Sequence, residues 1–567
     1  MSDATEPIQP WLEDSARPSS TNREEWQAYW QACGLSWRTE PEIDSDRQAF
    51  LAYRVSILPD IVRGIYPFKD IALSRADLEW LLLHHEDDRG PVQWNDERQR
   101  ERLGLDVRGS DLRRVHLQAL PLARLRAALT WDEWTGATAA QRLQAQAQLE
   151  YCDFSHAHLE GAILNRVQLQ HTRFTNAFME QADLSEAQLQ HTQLTRAHLQ
   201  HADLRKANLR GATLREVQCQ HADLSEATLQ GCDLSKADFQ HATLRKIFAQ
   251  QADFSLACLD HAYLHDAHLD EVNLRNASLQ KVDLSLVYLT GASLLQAQLQ
   301  QAYLRGAHLE QADLRRAHLE GADLSRVHLA GASLQGAFFD RLTCLDGVLF
   351  SRAAGIDCAS LADIHWDAVN LAGIDWSVIT KLGDERQLQL DGSRQDAPDP
   401  HLVSQAVRAY HQLAHALRNY GLYEEAHRFL YSCYRLQCRV LWVQARQRKI
   451  SWNRRIRLLV FWLGFLCLDI FAGYGYQLSR LLPTYLSTIC LFGLLYFITG
   501  FILQPAHPLT WYAALALSVS AFHGQAFWLN QPPANYILVF LTLVERVLGF
   551  LFTILIVTVI LRRFLHT

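Results

Sequence analysis

The chain has 567 residues, which is too long for one ordinary hydrophobic core and predicts several domains. Its formal net charge of −7 is too small for the one-signed field expected of a nucleic-acid-binding protein or an acidic mimic of nucleic acid. Eleven cysteines are scattered without a C-x-x-C pair or a metal-like Cys/His spacing. Reduced structural cysteines, a cytoplasmic setting and no metal or cofactor are therefore expected.

The N-terminal region is predicted to be a small helical domain after a disordered start. Residues 1–20 are polar, carry three prolines and contain no signal peptide. Residues 21–106 are expected to form short helices with loops, because Trp26 and Trp30 anchor one helix and a Ser74 capping box opens another. Nothing in this domain indicates a function.

A five-residue repeat follows and is the longest feature of the chain. From Leu149 to Leu349, nearly every fifth residue is Leu or Phe, with a small residue two places earlier. About 41 consecutive units can be counted. Four of their centres depart from the Leu/Phe rule, namely Met179, Cys219, Ala249 and Cys344. A strict period of five fits neither a helix nor a simple strand, but it fits short extended pieces joined by corners, with the small and the large residue pointing inward.

This pattern resembles the pentapeptide-repeat family, whose unit is A-(D/N)-L-x-x. The resemblance implies a right-handed quadrilateral β-helix with four units per coil, here over residues 107–355. Residues 125–148 break the five-residue step and are interpreted as an insertion that leaves the stack and packs against it. Solenoids tolerate such excursions because each coil contacts only its neighbours.

The outward face of the repeat supports several interpretations. A period of twenty would stack four histidines in one ladder, which either senses pH or has no role. These are His201, His221, His241 and His261. Some acidic members of the family resemble duplex DNA and bind topoisomerases, but the repeat holds about 24 acidic against 17 interspersed basic residues. DNA mimicry needs a field of one sign, so a docking surface for an unknown protein partner, with no nucleic acid, is favoured.

The period changes after the repeat. Residues 356–400 are expected to close the open end of the stack, using Trp366 and Trp376, and then to form a linker. Residues 401–450 resemble a single tetratricopeptide helical hairpin with Gly421 at its turn, and they are interpreted as a connector. A dense run of arginines follows, and a basic run directly before an apolar region indicates the cytoplasmic side of a membrane.

Residues 451–567 are predicted to form a membrane domain. Two segments, 481–503 and 536–561, are long enough to span the hydrocarbon layer. Residues 456–472 are interpreted as an interfacial helix and residues 509–522 as a short re-entrant helix. Basic residues flank both ends, so the predicted location is a bacterial inner membrane with the bulk of the chain and both termini cytoplasmic.

Two spans around a re-entrant helix resemble the two-helix pore module of tetrameric cation channels. The resemblance is closer to a subgroup of bacterial pentapeptide-repeat proteins that carry such a tail. It implies filter-like positions at the end of the re-entrant helix, namely Ser518, Ser520, Ala521, Phe522, His523, Gly524 and Gln525. Gln525 and Ala526 depart from the R-G of that subgroup, and only Gly524 offers the backbone freedom that potassium filters use.

The last predicted span carries two charges and a glycine. Glu545 and Arg546 would lie deep in the membrane, where a charge must be paired or hydrated. They either line a pore or form an ion pair between subunits, and both interpretations require an oligomer, expected to be a tetramer. The resemblance makes Gly549 the hinge of this helix.

The predicted function is a membrane-embedded, ion-channel-like oligomer with a cytoplasmic repeat rod that senses or docks a partner. One alternative is a membrane-tethered scaffold whose channel module does not conduct, and another is a topoisomerase-binding DNA mimic. No Walker loop, dinucleotide fingerprint or nucleophile elbow is present, so an enzyme is not expected. The expected partners are membrane lipid, further copies of the chain and a protein that binds the rod.

Overall fold

The computed structural model describes residues 17–351, 358–366, 369–390, 399–445, 451–475, 478–503, 509–524 and 536–564. Residues 1–16 of the segment predicted to be disordered lie outside these ranges. Packing divides the chain into two units, Met1–Gly383 and Asp384–Thr567.

The first unit begins with short helices. They are α1 (Arg23–Ala32), α2 (Ser45–Val55), α3 (Arg75–Leu83), α4 (His85–Asp88) and a 3-10 turn at Glu97–Gln99. Trp26 and Trp30 are buried, and the predicted capping box of Ser74 with Asp77 is confirmed at the start of α3.

A buried ion pair attaches α3 to the first coil of the repeat. Arg75 Nε lies 2.8 Å from Glu79 Oε1, and Arg75 also donates to the carbonyl oxygen of His116 at 3.1 Å. The main-chain amides of Thr39 and Glu40 donate to the two Glu79 oxygens at 2.9 and 3.0 Å. These hydrogen bonds offset the cost of removing both charges from water.

The repeat folds as a four-sided parallel β-helix with twenty residues per coil. From Gln148 to Phe338, parallel bridges join the middle residue of each extended piece to the one twenty places later, as in Asp183 to Asp203 and Asp203 to Asp223. Between coils, Leu184 N donates to Asp203 O at 2.7 Å, and Asp203 N donates to Ala182 O at 2.9 Å. The small residue and the Leu or Phe of each unit fill the interior, because both point inward from an extended piece only three residues long.

Each side of the coil ends in a tight corner. At one of them, Ala187 N donates to Leu184 O at 3.0 Å, and Glu186 between them has a φ of 57°. This is the geometry of a type II turn, which needs a left-handed residue at its third position. The same conformation recurs at other non-glycine corners, including His201 at 58° and Leu256 at 60°.

The insertion is shorter than predicted, and its boundaries at 125–148 are wrong. Arg126 bridges both Asp106 and Ile163, so this part of the chain stays in the stack. The excursion lies between Ala127 and Ala147, whose N–H donates to the Ala127 carbonyl at 2.9 Å and closes its base. The excursion contains two short helices, α5 (Trp131–Gly136) and α6 (Ala139–Ala145).

The repeat also loses its strict register earlier than predicted. From Gln148 to Phe338 the bridges step by twenty, but Asp323 pairs with Cys344, which is twenty-one residues later. The extra residue lies in a loop held by Asp340, whose Oδ1 accepts the amide of Thr343 at 3.0 Å. Leu345 is therefore the buried centre, and the assignment of Cys344 to an inward centre was wrong.

Aromatic residues cover the last coils. Strands β1 (Phe338–Phe339) and β2 (His365–Trp366) pair in parallel, with Trp366 stacked on Phe339 at 5.6 Å. Trp376 is buried in a 3-10 turn, Trp376–Val378, and stacks on Phe350 at 5.7 Å.

The second unit is helical. Its helices are α7 (Gly383–Leu390), α8 (Pro400–Asn419), α9 (Tyr423–Ala445), α10 (Trp452–Ala472), α11 (Leu478–Leu503), α12 (Trp511–Phe522) and α13 (Tyr536–Phe564). Helices α8 and α9 form a hairpin around Gly421, whose φ is 79°. Tyr431 of α9 donates to Asp469 of α10 at 2.8 Å, and the left-handed Gly473 ends α10.

Two of these helices are long and apolar enough to cross a membrane, over Leu482–Ile502 and Tyr536–Ile554. Helix α12 lies between them in sequence and, with twelve residues, is too short to cross.

Candidate functional site

The predicted filter-like residues lie where the C-terminal part of α12 packs against α11 and α13. Phe522 of α12 forms a buried apolar cluster with Ile489 of α11 and Phe552 of α13. Ser518 lies one helical turn before Phe522 and on the same face, because residues four apart align along a helix. This face therefore presents a hydroxyl and an aromatic ring to both neighbouring helices.

Glu545 of α13 is fully buried and takes its hydrogen-bond partners from the two other helices. Tyr496 of α11 donates its hydroxyl to Oε2 at 2.5 Å, and the hydroxyl of Ser518 contacts Oε1. Both oxygens are thus engaged within one chain. A buried carboxyl group is costly unless it is hydrogen-bonded, so these contacts stabilise the packing of three helices through one side chain.

Arg546, the next residue, binds the end of α12. Its Nη2 donates to the carbonyl oxygen of Gly524 at 2.7 Å. Gly524 has a φ of 76°, a conformation that favours glycine, and it turns the chain out of the helix. The guanidinium therefore satisfies a carbonyl group that the helix end leaves open.

His523 caps α12 and links it to α11. Its Nδ1 lies 2.8 Å from the carbonyl oxygen of Val519, and its Nε2 lies 3.1 Å from the hydroxyl of Tyr485. The neutral tautomer that fits carries its proton on Nδ1, which donates to the carbonyl, and Nε2 accepts from the tyrosine. This contact positions the histidine within the fold.

Gly549 allows α13 to approach α12 closely. A Cβ atom added to it would lie 1.9 Å from the carbonyl oxygen of Phe522, closer than any real contact. The residue is thus a packing position, and its predicted role as a hinge is untested.

The structure brings together Ser518, Phe522, His523, Gly524, Glu545, Arg546 and Gly549. Two predicted residues do not join this network. Ser520 bonds only to the carbonyl of Leu517 in its own helix, at 2.9 Å, and Ala521 is a buried packing residue. Gln525 lies outside the described residues.

Two tyrosines of this site, Tyr485 and Tyr496, were missed by the sequence analysis. They stand eleven residues apart, which places them on one face of α11 at 3.6 residues per turn. Two tyrosine hydroxyl groups on one face of a mostly apolar helix were the sequence feature that could have indicated these partners.

The predicted histidine ladder lies apart from this site, on the β-helix. His201, His221, His241 and His261 are exposed corner residues. Their rings stack at centroid distances of 5.0, 5.1 and 4.8 Å and within 9° of parallel. The period of twenty is confirmed by this stacking, and a pH response stays a prediction.

Models of two repeat families match the β-helix. Residues 147–224 match a pentapeptide repeat region, and residues 232–270, 267–306 and 302–341 match pentapeptide repeats in eight copies. A comparison with curated proteins found no significant match.

Solved pentapeptide-repeat proteins are similar to parts of the chain. Rfr23 of the cyanobacterium Cyanothece 51142 is 38% identical over 16% of this chain, with a TM-score of 0.16, and the match spans 63% of Rfr23. HetL of Nostoc sp. strain PCC 7120, involved in heterocyst differentiation regulation, is 28% identical over 44% of this chain and 88% of its own, with a TM-score of 0.18. QnrB1, a plasmid-mediated fluoroquinolone resistance protein, is 21% identical over 32% of this chain and 91% of its own, also with a TM-score of 0.18.

The assignment rests on the family models and on the repeat itself. Both cover the same stretch, in which every unit supplies one side of a coil. With these matches and their four-sided β-helix, residues 147–341 form a pentapeptide-repeat region.

Proposed function

We propose that the chain is a membrane-anchored pentapeptide-repeat scaffold, in which the C-terminal helices anchor and assemble the protein and the β-helix docks a protein partner. One observation carries the proposal: the two adjacent charged residues in the middle of α13, Glu545 and Arg546, both have hydrogen-bond partners within a single chain. Glu545 bonds Tyr496 and Ser518, and Arg546 bonds Gly524. A network of this kind suits an anchor, because the buried carboxyl group is hydrogen-bonded within the chain and the arginine is held at the end of α12.

The carbonyl groups at the end of α12 support the same function. A conducting filter aims a row of backbone carbonyls at its axis. Within the described residues 518–524, Val519 O accepts from His523, Ala521 O accepts from Gly524, and Gly524 O accepts from Arg546. These carbonyls are directed into the helix and its cap.

The surface of the β-helix supports protein docking over DNA mimicry. Several of its basic residues pair with acidic ones on the same or the neighbouring coil. Arg196 Nε lies 2.7 Å from Glu216 Oε2, and Arg315 Nη2 lies 2.7 Å from Asp313 Oδ2. Paired charges cancel at a distance, so a one-signed field does not develop, and recognition depends on local contacts.

The assembly and topology belong to the same proposal. The helices cross a bacterial inner membrane twice, with the β-helix and both termini in the cytoplasm, as the flanking basic residues predict. The chain associates with itself, as a tetramer, through the apolar faces that α11 and α13 leave exposed.

An ion-channel-like oligomer is the second candidate. The observation in its favour is the order of elements, with two helices that can cross a membrane and a short helix held between them by Glu545.

Reconstitution separates the two functions. The full-length protein is placed in liposomes that contain a pH-sensitive dye and a potassium or sodium gradient, and its oligomeric state is fixed by cross-linking. The scaffold predicts an oligomer and a dye response equal to that of protein-free liposomes. An ion flux carried by the wild type, reduced in Glu545→Ala and kept in the control Ser520→Ala, would replace the scaffold with the channel.

A further inference from the structure

A cluster of metal-binding side chains lies on the β-helix, outside the functions considered so far. It consists of His308, Glu310 and His328. His308 Nδ1 lies 3.3 Å from Glu310 Oε1, and His328 Nδ1 lies 3.7 Å from the same oxygen. In the described part of the chain, this is the one group of three such side chains whose ligand atoms all lie within 4.8 Å of one another.

These distances are close to those of a tetrahedral metal site. Zn²⁺ bonds histidine nitrogen and carboxylate oxygen at about 2.0–2.2 Å, which places two ligand atoms of a tetrahedron about 3.3–3.5 Å apart. The two nitrogen–oxygen separations of 3.3 and 3.7 Å need almost no change. Both histidines are more than a third exposed, so their rings have room to bring the nitrogens closer.

The fold produces this cluster from two coils. In the sequence His308-Leu309-Glu310, the leucine points inward, so the histidine and the carboxylate lie together on the outside. His328 bridges His308 from the next coil, and their rings stack at 4.6 Å. The rings are tilted by 28°, whereas Tyr288 and His308 in the same column differ by 2°.

The chain contains two further His-Leu-Glu units that lack the second histidine. His158 and His318 each donate to a glutamate two residues later, at 2.8 and 3.0 Å. The residue above each is a phenylalanine, Phe178 and Phe338, stacked at 4.7 and 4.5 Å. The fold itself therefore accepts either His or Phe at the position of His328, and only His supplies another ligand.

We propose that His308, Glu310 and His328 form a binding site for a divalent transition metal ion such as Zn²⁺. Both neutral imidazoles carry the proton on Nε2 and offer the lone pair of Nδ1, so the metal replaces the hydrogen bond between His308 and Glu310. The buried second oxygen of Glu310, Oε2, has no hydrogen-bond partner and is available to the same ion. Imidazole and carboxylate ligands suit Zn²⁺, with water in the remaining position.

The site has no short motif in the sequence, because His328 lies twenty residues after His308. Metal motifs are recognised by short spacings such as C-x₂-C or H-x₃-H. Here one coil of the β-helix replaces a helical turn as the element that brings ligands together.

Cobalt binding tests the site. Co²⁺ replaces Zn²⁺ in such sites and absorbs visible light strongly when its coordination is tetrahedral, so it separates a formed site from loose binding. The full-length protein in detergent is first treated with a chelator and then titrated with Co²⁺, and bound Co²⁺ is displaced with Zn²⁺. The wild type is expected to give a visible band that saturates at one ion per chain.

Three variants complete the experiment. His328→Phe copies the neighbouring columns, and Glu310→Gln keeps the size of the side chain; each should weaken Co²⁺ binding at least about tenfold, since even an outer partner of a ligand contributes 10–100-fold. The control His241→Gln removes a stacked but carboxylate-free histidine and should leave the band unchanged. Far-UV circular dichroism checks that each variant is folded. Absence of the band in the wild type, its persistence in Glu310→Gln, or its loss in His241→Gln would overturn the proposal in favour of adventitious binding by surface histidines.

Discussion

The corners of the β-helix make a prediction about the stability of single coils. Gly231 occupies a corner with a φ of 65°, and a Cβ atom added there would meet no atom within 4 Å. Gly231→Ala therefore changes the backbone preference without adding or removing a contact. The left-handed conformation costs an L-residue about 1–2 kcal/mol. The unfolded chain of the variant is less flexible, and this offsets about 0.4–1 kcal/mol of that cost. We therefore expect the free energy of unfolding of the coil to fall by about 1 kcal/mol.

The opposite change at an equivalent corner provides the matched control. Lys246 has a φ of 56° and its side chain is exposed. Lys246→Gly should stabilise its coil by about 1 kcal/mol, because the same two contributions act with reversed signs.

Hydrogen exchange followed by mass spectrometry measures both variants locally, which suits a solenoid whose coils interact mainly with their neighbours. A change of 1 kcal/mol alters the opening equilibrium of the coil about fivefold. Amides around residue 231 should exchange faster in Gly231→Ala, and those around residue 246 should exchange more slowly in Lys246→Gly. Unchanged or slower exchange in Gly231→Ala would show that these corners carry no backbone strain, and the reasoning would be wrong.

Two further predictions concern single contacts. Gly549→Ala should lower the melting temperature in detergent, because the new methyl group meets the backbone of Phe522 and overpacking costs about 1–3 kcal/mol; Gly464→Ala, which meets nothing within 4 Å, should not lower it. The hydrogen bond to Glu160 raises the pKa of His158 above 6.5, so this contact stabilises the fold below about that pH and is lost as the pH rises through the raised value. Glu160→Gln should lower the pKa measured for His158 by NMR, and an equal or higher pKa in the variant would contradict this cause.

The core of the β-helix could be predicted because its information is local. One inward pair in every five residues specifies which side chains are buried, and neighbouring units repeat the choice. The prediction failed at two places where the residues present did not reveal the register of the repeat. At the insertion, Leu125 takes the slot of a small residue and Ala127 that of a large one. Near Cys344, the sequence was interpreted as a substitution at the central position of one unit, whereas the structure has one extra residue there.

The candidate site was less accessible to sequence reasoning. Glu545 and Arg546 were recognised as charges that need partners, and the structure supplies partners for both within the chain. Those partners lie on other helices, 49 residues away at Tyr496 and 27 away at Ser518. Their approach depends on how α11, α12 and α13 pack, which no local pattern records. The cluster of His308, Glu310 and His328 has the same origin, since it depends on the stacking of coils.

In a four-sided coil, the number of residues between two positions also determines the angle between the directions in which they face. Five residues carry the chain along one side, so adding or deleting a single unit rotates everything beyond it by a quarter turn, whereas a change of twenty adds or removes a whole coil without rotation. The excursion between Ala127 and Ala147 avoids this effect because it returns to the point it left. The number of units between His261 and His308 thus specifies the angle between the histidine ladder and the cluster of His308, Glu310 and His328. Removal of one unit would rotate one of these surfaces relative to the other by a quarter turn and leave every residue of both unchanged.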